Sequence, residues 1–253
     1  MPKLLRRPET LTRAVARSIG EAILRGEFSP GQSLPEQDLA QRLGVSRGTV
    51  REAFRALAEQ GIVDLFPHRG AFVVALTVRR AREIYTLRAE LESFAARLAI
   101  QRGGYSPDRL KGLARALRSL ETAVTRNDPF DVAEADMRFH ELMTQASEHE
   151  LLVETLSGLR LQMLLFIVNT KLIASDVEPE GPTHRRLLDA ARTSDAALLA
   201  SAIHRHISEA GELLVRKMLS LEAREPERPP PVHTNGQGRD GSRRRAPLRA
   251  GAG

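Results

Sequence analysis

A single residue, Val45, separates Gly44, which closes one amphipathic run, from Ser46, which can cap the next. Glycine is favoured just past a helix C-terminus because it accepts positive φ, and an N-cap serine takes up a backbone N–H that the first turn leaves unpaired. Two short helices joined by so tight a turn form a helix-turn-helix. A helix precedes them: from Thr10 to Arg25 the apolar residues Leu11, Val15, Ile19, Ala22 and Ile23 recur at helical spacing, and Gly26 is a natural stop. The second helix lies in SLPEQDLAQRLG, where Ser33 three residues before Glu36 reads as a capping box. The third, RGTVREAFRALAEQ, closes at Gly61.

In the third helix Val50, Phe54 and Leu57 form an apolar stripe, while Arg47, Arg51 and Arg55 follow one another at i, i+4 and i+8. The stripe packs and the arginines project outward. Arg on such a face can pair bidentately with guanine or grip phosphate in a major groove; the bland alternative is an ordinary solvated face. Beyond Gly61, IVDLF and AFVVAL are β-rich runs joined by Pro67-His68-Arg69-Gly70, a hairpin whose tip can enter a minor groove.

Charge is distributed unevenly along the 253 residues. Residues 1–76 carry 11 basic and 8 acidic side chains, residues 77–221 carry 20 of each, and residues 222–253 carry 7 and 4, so the net +6 sits on the two ends. The last segment is rich in Pro, Gly and Arg and is expected to be a disordered basic tail. With no Cys, disulfide scaffolds, thiolate metal sites and Cys nucleophiles are excluded, and a reducing cytoplasm is the expected location. No secretory signal is read at the N-terminus, and no uninterrupted apolar stretch approaches bilayer-spanning length, so no membrane partner is expected.

The run from Thr12 to Val74, AILRGEFSPGQSLPEQDLAQRLGVSRGTVREAFRALAEQGIVDLFPHRGAFV within it, resembles the winged helix of the GntR family of bacterial transcription regulators. The resemblance implies that Ser46, Arg47, Thr49 and Arg51 contact operator DNA from the recognition helix, with Gln37 at the start of helix two and Arg69 and Gly70 at the wing. Where family members often have Thr-Pro after Ser-Arg, this chain has Gly48-Thr49.

Residues 77–219 show helical periodicity throughout, and six helices are expected at roughly 77–101, 107–126, 129–148, 150–173, 181–193 and 195–219. The chain is thus mainly α, with a winged helix-turn-helix domain over 10–76, an all-α effector-binding and dimerisation bundle over 77–221 and the tail over 222–253. Asp136 and His140 stand i, i+4 on one face, and His184 and His206 lie on later helices. Taken singly each His reads as a structural or surface residue; together, one carboxylate and three imidazoles can converge on a divalent transition metal such as zinc, nickel or manganese.

This half resembles the FCD ligand-binding domain of FadR-like GntR regulators, in its six-helix, VanR-like form, through YTLRAELESFAARLA, Asp136-x-x-x-His140, and His184 with His206. The resemblance implies that Asp136, His140, His184 and His206 are the metal ligands. Arg88 is the candidate clamp for a small carboxylate effector, with an ion pair to Glu92 one turn on as the alternative. The reading is a homodimeric, ligand-responsive repressor of a pseudo-palindromic operator on double-stranded DNA, and not an enzyme. Its alternatives are a metal-dependent hydrolase built on the Asp/His set and a nucleoid-associated protein that binds DNA by charge alone.

Overall fold

The computed structural model describes residues 10–173 and 180–222; all but the first residue of the expected tail lies outside them. The order is α1 (Leu11–Leu24), β1 (Ser33–Leu34), α2 (Glu36–Leu43), α3 (Arg47–Glu59), β2 (Val63–Phe66), β3 (Gly70–Val73), α4 (Val78–Gln101), α5 (Pro107–Arg126), α6 (Pro129–Gln145), α7 (Glu150–Ile173), α8 (Glu180–Arg192) and α9 (Ala196–Glu222). A winged helix-turn-helix is followed by a helical bundle, as the periodicities require.

Local chemistry sets the boundaries in the head. Thr10 caps α1 by accepting from the Arg13 N–H, Gly44 ends α2 at φ 66°, and Ser46 caps α3 by accepting from the Thr49 N–H at 3.1 Å. Val15, Ile19 and Ile23 of α1 bury against a core that includes Val50, Phe54 and Leu57 of α3. Each such side chain contributes about 1.5–3 kcal/mol on full burial. The hairpin forms with Val63 opposite Val73 and Phe66 opposite Gly70.

One expectation fails here. Ser33 caps nothing: it lies in β1, opposite Phe72 of β3, and Pro35 occupies the N-cap position of α2 without a side-chain hydrogen bond. The two-residue strand closes the sheet in the order β1-β3-β2, using backbone pairing that no local pattern announces.

In the bundle, α4 and α9 pack along much of their length in antiparallel sense, Ser93 Oγ donating to the Ala200 carbonyl at 3.2 Å and Gly211 meeting Tyr85. A Cβ at Gly211 would stand 2.7 Å from Tyr85 Cβ, so the crossing depends on the missing side chain. The apolar content of α7 is high: Glu150–Asn169 has a mean hydropathy of 1.7 over a length that could cross a bilayer, though Glu150, Glu154 and Arg160 interrupt it. Half of that stretch is buried in the protein, Met163, Leu164, Leu165 and Phe166 among the core side chains.

The head rests on the bundle through α1 and α7. The Arg25 guanidinium lies 4.3 Å above the Phe130 ring. Gln162 of α7 accepts from Arg80 Nη2 at 2.7 Å and donates to the Gln60 carbonyl, at the end of α3, at 3.4 Å. Next to Gln60, Gly61 has φ 70°, and a Cβ there would fall 2.3 Å from Gln162 Nε2. Glycine meets both requirements of that junction.

Candidate functional site

The outer face of the head carries the residues singled out for DNA. On α3, Val50, Ala53, Phe54 and Leu57 are buried, which turns Arg47, Arg51 and Arg55 to solvent. Arg47 and Arg51 converge on one carboxylate: Glu36 of α2 accepts from Arg47 Nε at 2.6 Å and from Arg51 Nε at 2.7 Å. The Glu36 carboxyl is held below its usual range, by the hydrogen bond from Arg51 first and by Arg47 with it, against the opposing effect of burial. Gln37 is exposed beside it.

Ser46 and Thr49 are joined hydroxyl to hydroxyl at 2.9 Å, so both also build the start of the helix they were expected to project from. At the wing Arg69 stacks over Phe66 and Phe72, 5.3 and 5.5 Å from their centroids, and Gly70 takes φ 94°. Sequence spacing reads Glu36 as a capping-box residue and misses its pairing with the arginines, because those partners lie 11 and 15 residues away.

In the bundle, α6, α8 and α9 bring Asp136, His140, His184 and His206 together, with one ligand atom from each lying within 4.8 Å of all the others. Asp136 Oδ1 is 2.8 Å from His184 Nε2 and 3.9 Å from His140 Nε2, while the His140 and His206 rings stack at 5.3 Å. Donors at about 2.0–2.2 Å from one ion stand roughly 3–4 Å apart, so a slight contraction of this cluster fits a transition metal.

A second observation supports the fit: His140 Nε2 is buried with no hydrogen-bond partner. Its other nitrogen, Nδ1, is 2.6 Å from Glu92 Oε2. With the proton on Nδ1, Glu92 accepts it and the Nε2 lone pair faces the cluster, the usual support for a ligating histidine.

The electrostatics suit the same purpose. Burial alone would raise the Glu92 carboxyl, but Arg88 and His140 bring it down to about 2. Burial likewise opposes ionisation of Asp136, and is overcome by the hydrogen bond with His184 and by the charges of His140, His184 and Arg88. His206 is pushed well below its ordinary value, by burial first and by its imidazole neighbours second, which keeps it a neutral donor.

Arg88 is buried. Its Nε donates to Glu92 Oε1 at 2.5 Å, and its Nη2 lies 3.8 Å from Asp136 Oδ2 with no acceptor in hydrogen-bond range. The ion pair with Glu92, the alternative reading of Arg88, is therefore present, and Arg88 does not line the cavity that Glu92 and His140 share. That cavity, about 140 Å³, is lined by Glu92, His140, Glu141, Thr144, Ser157 and Arg160 together with the apolar Met137, Leu156 and Met163. Its arginine is Arg160, fixed by Glu141 at 2.6 Å and by Glu134 at 2.5 and 3.2 Å. Sequence reasoning missed Arg160 and assigned Glu92 only the ion pair with Arg88; the partners that define them here lie 19 to 48 residues away.

His204 and His149 fall outside the cluster: His204 is exposed near Glu90, and His149 Nδ1 accepts from the Leu152 N–H at the start of α7.

Comparison with known proteins agrees with this geometry. Residues 11–73 match the family of bacterial regulatory proteins, gntR family, and residues 83–209 match the FCD domain. The gluconate operon transcriptional repressor of Bacillus subtilis is 27% identical over 200 residues, 77% of this chain and 81% of that protein. An HTH-type transcriptional regulator of Agrobacterium vitis is 36% identical over 131 residues, 51% of this chain and 77% of the other.

Among solved structures, E. coli McbR/YncC superposes with a TM-score of 0.72 at 22% identity, covering 83% of this chain and 99% of that one. A transcriptional regulator GntR from Rhodococcus sp. RHA1 superposes with a TM-score of 0.70 at 25% identity, covering 81% and 97%. A winged helix with paired arginines, joined to a helical domain that both the FCD profile and the solved folds match, identifies the chain as a member of the GntR family of bacterial transcriptional regulators, in the group that carries an FCD domain.

Proposed function

We propose that this regulator binds a pseudo-palindromic operator as a homodimer, usually to repress, and that a small carboxylate bound beside a metal in the helical domain changes its hold on DNA. The observation that carries the reading is the convergence of Asp136, His140, His184 and His206, of which His140 also lines a neighbouring cavity, in the same chain as a solvent-facing Arg47 and Arg51. Two-fold symmetry of a dimer imposes two half-sites on the DNA. Arg47 and Arg51 would read base edges in the major groove, with Gln37, Ser46 and Thr49 near the backbone and Arg69 with Gly70 at the wing.

A metal held by the four ligands supplies a fixed positive charge and open coordination positions for a carboxylate. The chain's own residues do the rest: Glu92 orients His140, Arg88 stabilises Glu92 as the anion, and the apolar wall of Met137, Leu156 and Met163 limits water. A ligand alters DNA affinity only to the extent that it binds the two arrangements of the heads unequally. Homologues that regulate transcription favour this over a hydrolase built on the same ligands.

Selection of bound sequences from a random DNA library tests the reading. The expected product is a two-fold site whose enrichment falls roughly tenfold or more with Arg51→Ala. Equal recovery of all sequences by the unaltered protein would instead support binding by charge alone.

A further inference from the structure

One row of apolar side chains on α4 is left open among the described residues. Ala81, Arg88, Glu92 and Ala99 turn one face of the helix into the bundle, and another face carries Leu87, Leu91, Phe94 and Leu98. Leu87 is 45% and Phe94 39% exposed, while Leu91 and Leu98 are half-buried. Leu91 packs against the small cluster of Ala95, Leu152 and Leu156, so the patch runs on to α7, where Leu151 is 68% exposed. Single exposed apolar residues are ordinary, but a continuous row of four marks a surface that meets something.

The spacing identifies what it meets. From Leu87 the steps are four, three and four residues, the alternation that keeps the seam of one helix against another. Those steps read the same in both directions, so the row is complementary to a second copy of itself running the opposite way. With a two-fold axis between Leu91 and Phe94, Leu87 meets the partner's Leu98 and Leu91 meets the partner's Phe94.

Charge selects the same arrangement. Glu90 and Arg97 stand seven residues apart along one edge of the row, and both are exposed. Glu90 is approached by His204 at 3.3 Å, and Arg97 lies 5.9 Å from the Phe94 ring centroid with no ion pair among the described residues. In the antiparallel pairing this edge lies against the same edge of the partner, so each Glu90 faces the partner's Arg97 and the contact is made twice. A parallel pairing would set Glu90 against the opposite edge, where Arg88 and Ala95 are buried.

Resting on the homodimer proposed above, we infer that α4 packs against α4 of a second copy in antiparallel sense, through Leu87, Leu91, Phe94 and Leu98, and that reciprocal Glu90–Arg97 ion pairs fix the orientation and select the partner.

Sedimentation equilibrium of the full-length protein at low ionic strength is the test. The unaltered protein should be a dimer at micromolar concentration, and Leu87→Glu combined with Phe94→Glu should give monomers with unchanged circular dichroism. Glu90→Arg alone and Arg97→Glu alone should each weaken the dimer about tenfold or more, because both reciprocal pairs pass from attraction to repulsion. An equimolar mixture of these two charge variants should recover the dimer as a heterodimer, since every contact between them again joins opposite charges. A role of either residue within its own chain predicts no such recovery.

A dimer indifferent to the charge variants overturns the inference and leaves the homodimer standing, as does a mixture no tighter than its components. The charge variants decide this whether or not the Leu87, Phe94 variant keeps its fold. A monomeric unaltered protein overturns the homodimer, and the inference with it.

Discussion

Glu36 Oε2 accepts from Arg51 Nε at 2.7 Å, and the other oxygen of the same carboxylate holds Arg47 Nε at 2.6 Å. Both bonds use the inner nitrogen of the guanidinium, which leaves Nη1 and Nη2 of each arginine uncommitted to Glu36. A negative group in the middle of a surface that meets phosphates opposes association in general, while it restricts two flexible side chains to orientations useful at one sequence.

Glu36→Ala is therefore expected to strengthen binding to random-sequence DNA by a few-fold and to weaken preference for the operator. The steeper salt dependence of a surface that has lost one negative charge should accompany the change. Fluorescence anisotropy with operator and scrambled duplexes over a salt series measures both. A variant that loses affinity equally for the two duplexes would show that Glu36 merely supports the fold of α2 and α3.

Metal content offers a second prediction. Protein purified without chelators should carry about one transition-metal ion per chain, and Asp136→Ala combined with His206→Ala should abolish it, as read by elemental analysis. Protons compete with the metal for the same imidazoles and carboxylate, so affinity should fall as pH falls. His206 contributes little to that fall near neutrality, because burial already keeps it unprotonated there. Retention of metal that is indifferent to acid would point to other ligands.

The hydrogen bond between His140 and Glu92 leads to a third. Glu92→Gln keeps the size of the side chain but removes the acceptor charge that fixes the His140 tautomer, and it leaves the buried Arg88 with only Asp136, 3.8 Å away, as an anion. Metal affinity is expected to drop roughly 10–100-fold, the range for loss of such a supporting partner. Competition with a zinc-binding dye would measure it. Unchanged affinity in a folded variant would limit Glu92 to pairing with Arg88.

A fourth concerns communication between the halves. Gln162→Ala removes the contacts to Arg80 and to the carbonyl of Gln60 without touching the cavity lining or the DNA-facing surface. Ligand binding and operator binding should each persist, whereas the change in operator affinity caused by ligand should shrink. Comparing the two affinities with and without ligand gives the coupling directly. Full coupling in the variant would route the signal elsewhere.

Much of this was legible beforehand because it is encoded locally. Thr10, Ser46 and Gly44 mark helix ends by their own chemistry, and Asp136 with His140 announces a shared face through i, i+4 spacing. What escaped depends on partners far apart in the chain. Ser33 looked like a cap because Glu36 follows at the right distance, yet pairing with Phe72 of β3 claimed it for a strand. Glu36 is likewise defined by arginines on the next helix, and Arg160 by two glutamates of α6. Charged groups of this sort acquire their roles from neighbours that only the packed bundle supplies.

That same α7 gives Arg160 to the cavity wall and Gln162 to the head, two positions apart. At about 1.5 Å per residue, the axial distance between a residue that lines the cavity and one bonded to the end of α3 is roughly 3 Å. No relay of side chains across the bundle is required. Were α7 to rotate as one rigid rod, a displacement at Arg160 would reach Gln60 within less than a turn, like a crankshaft between the bundle and the head.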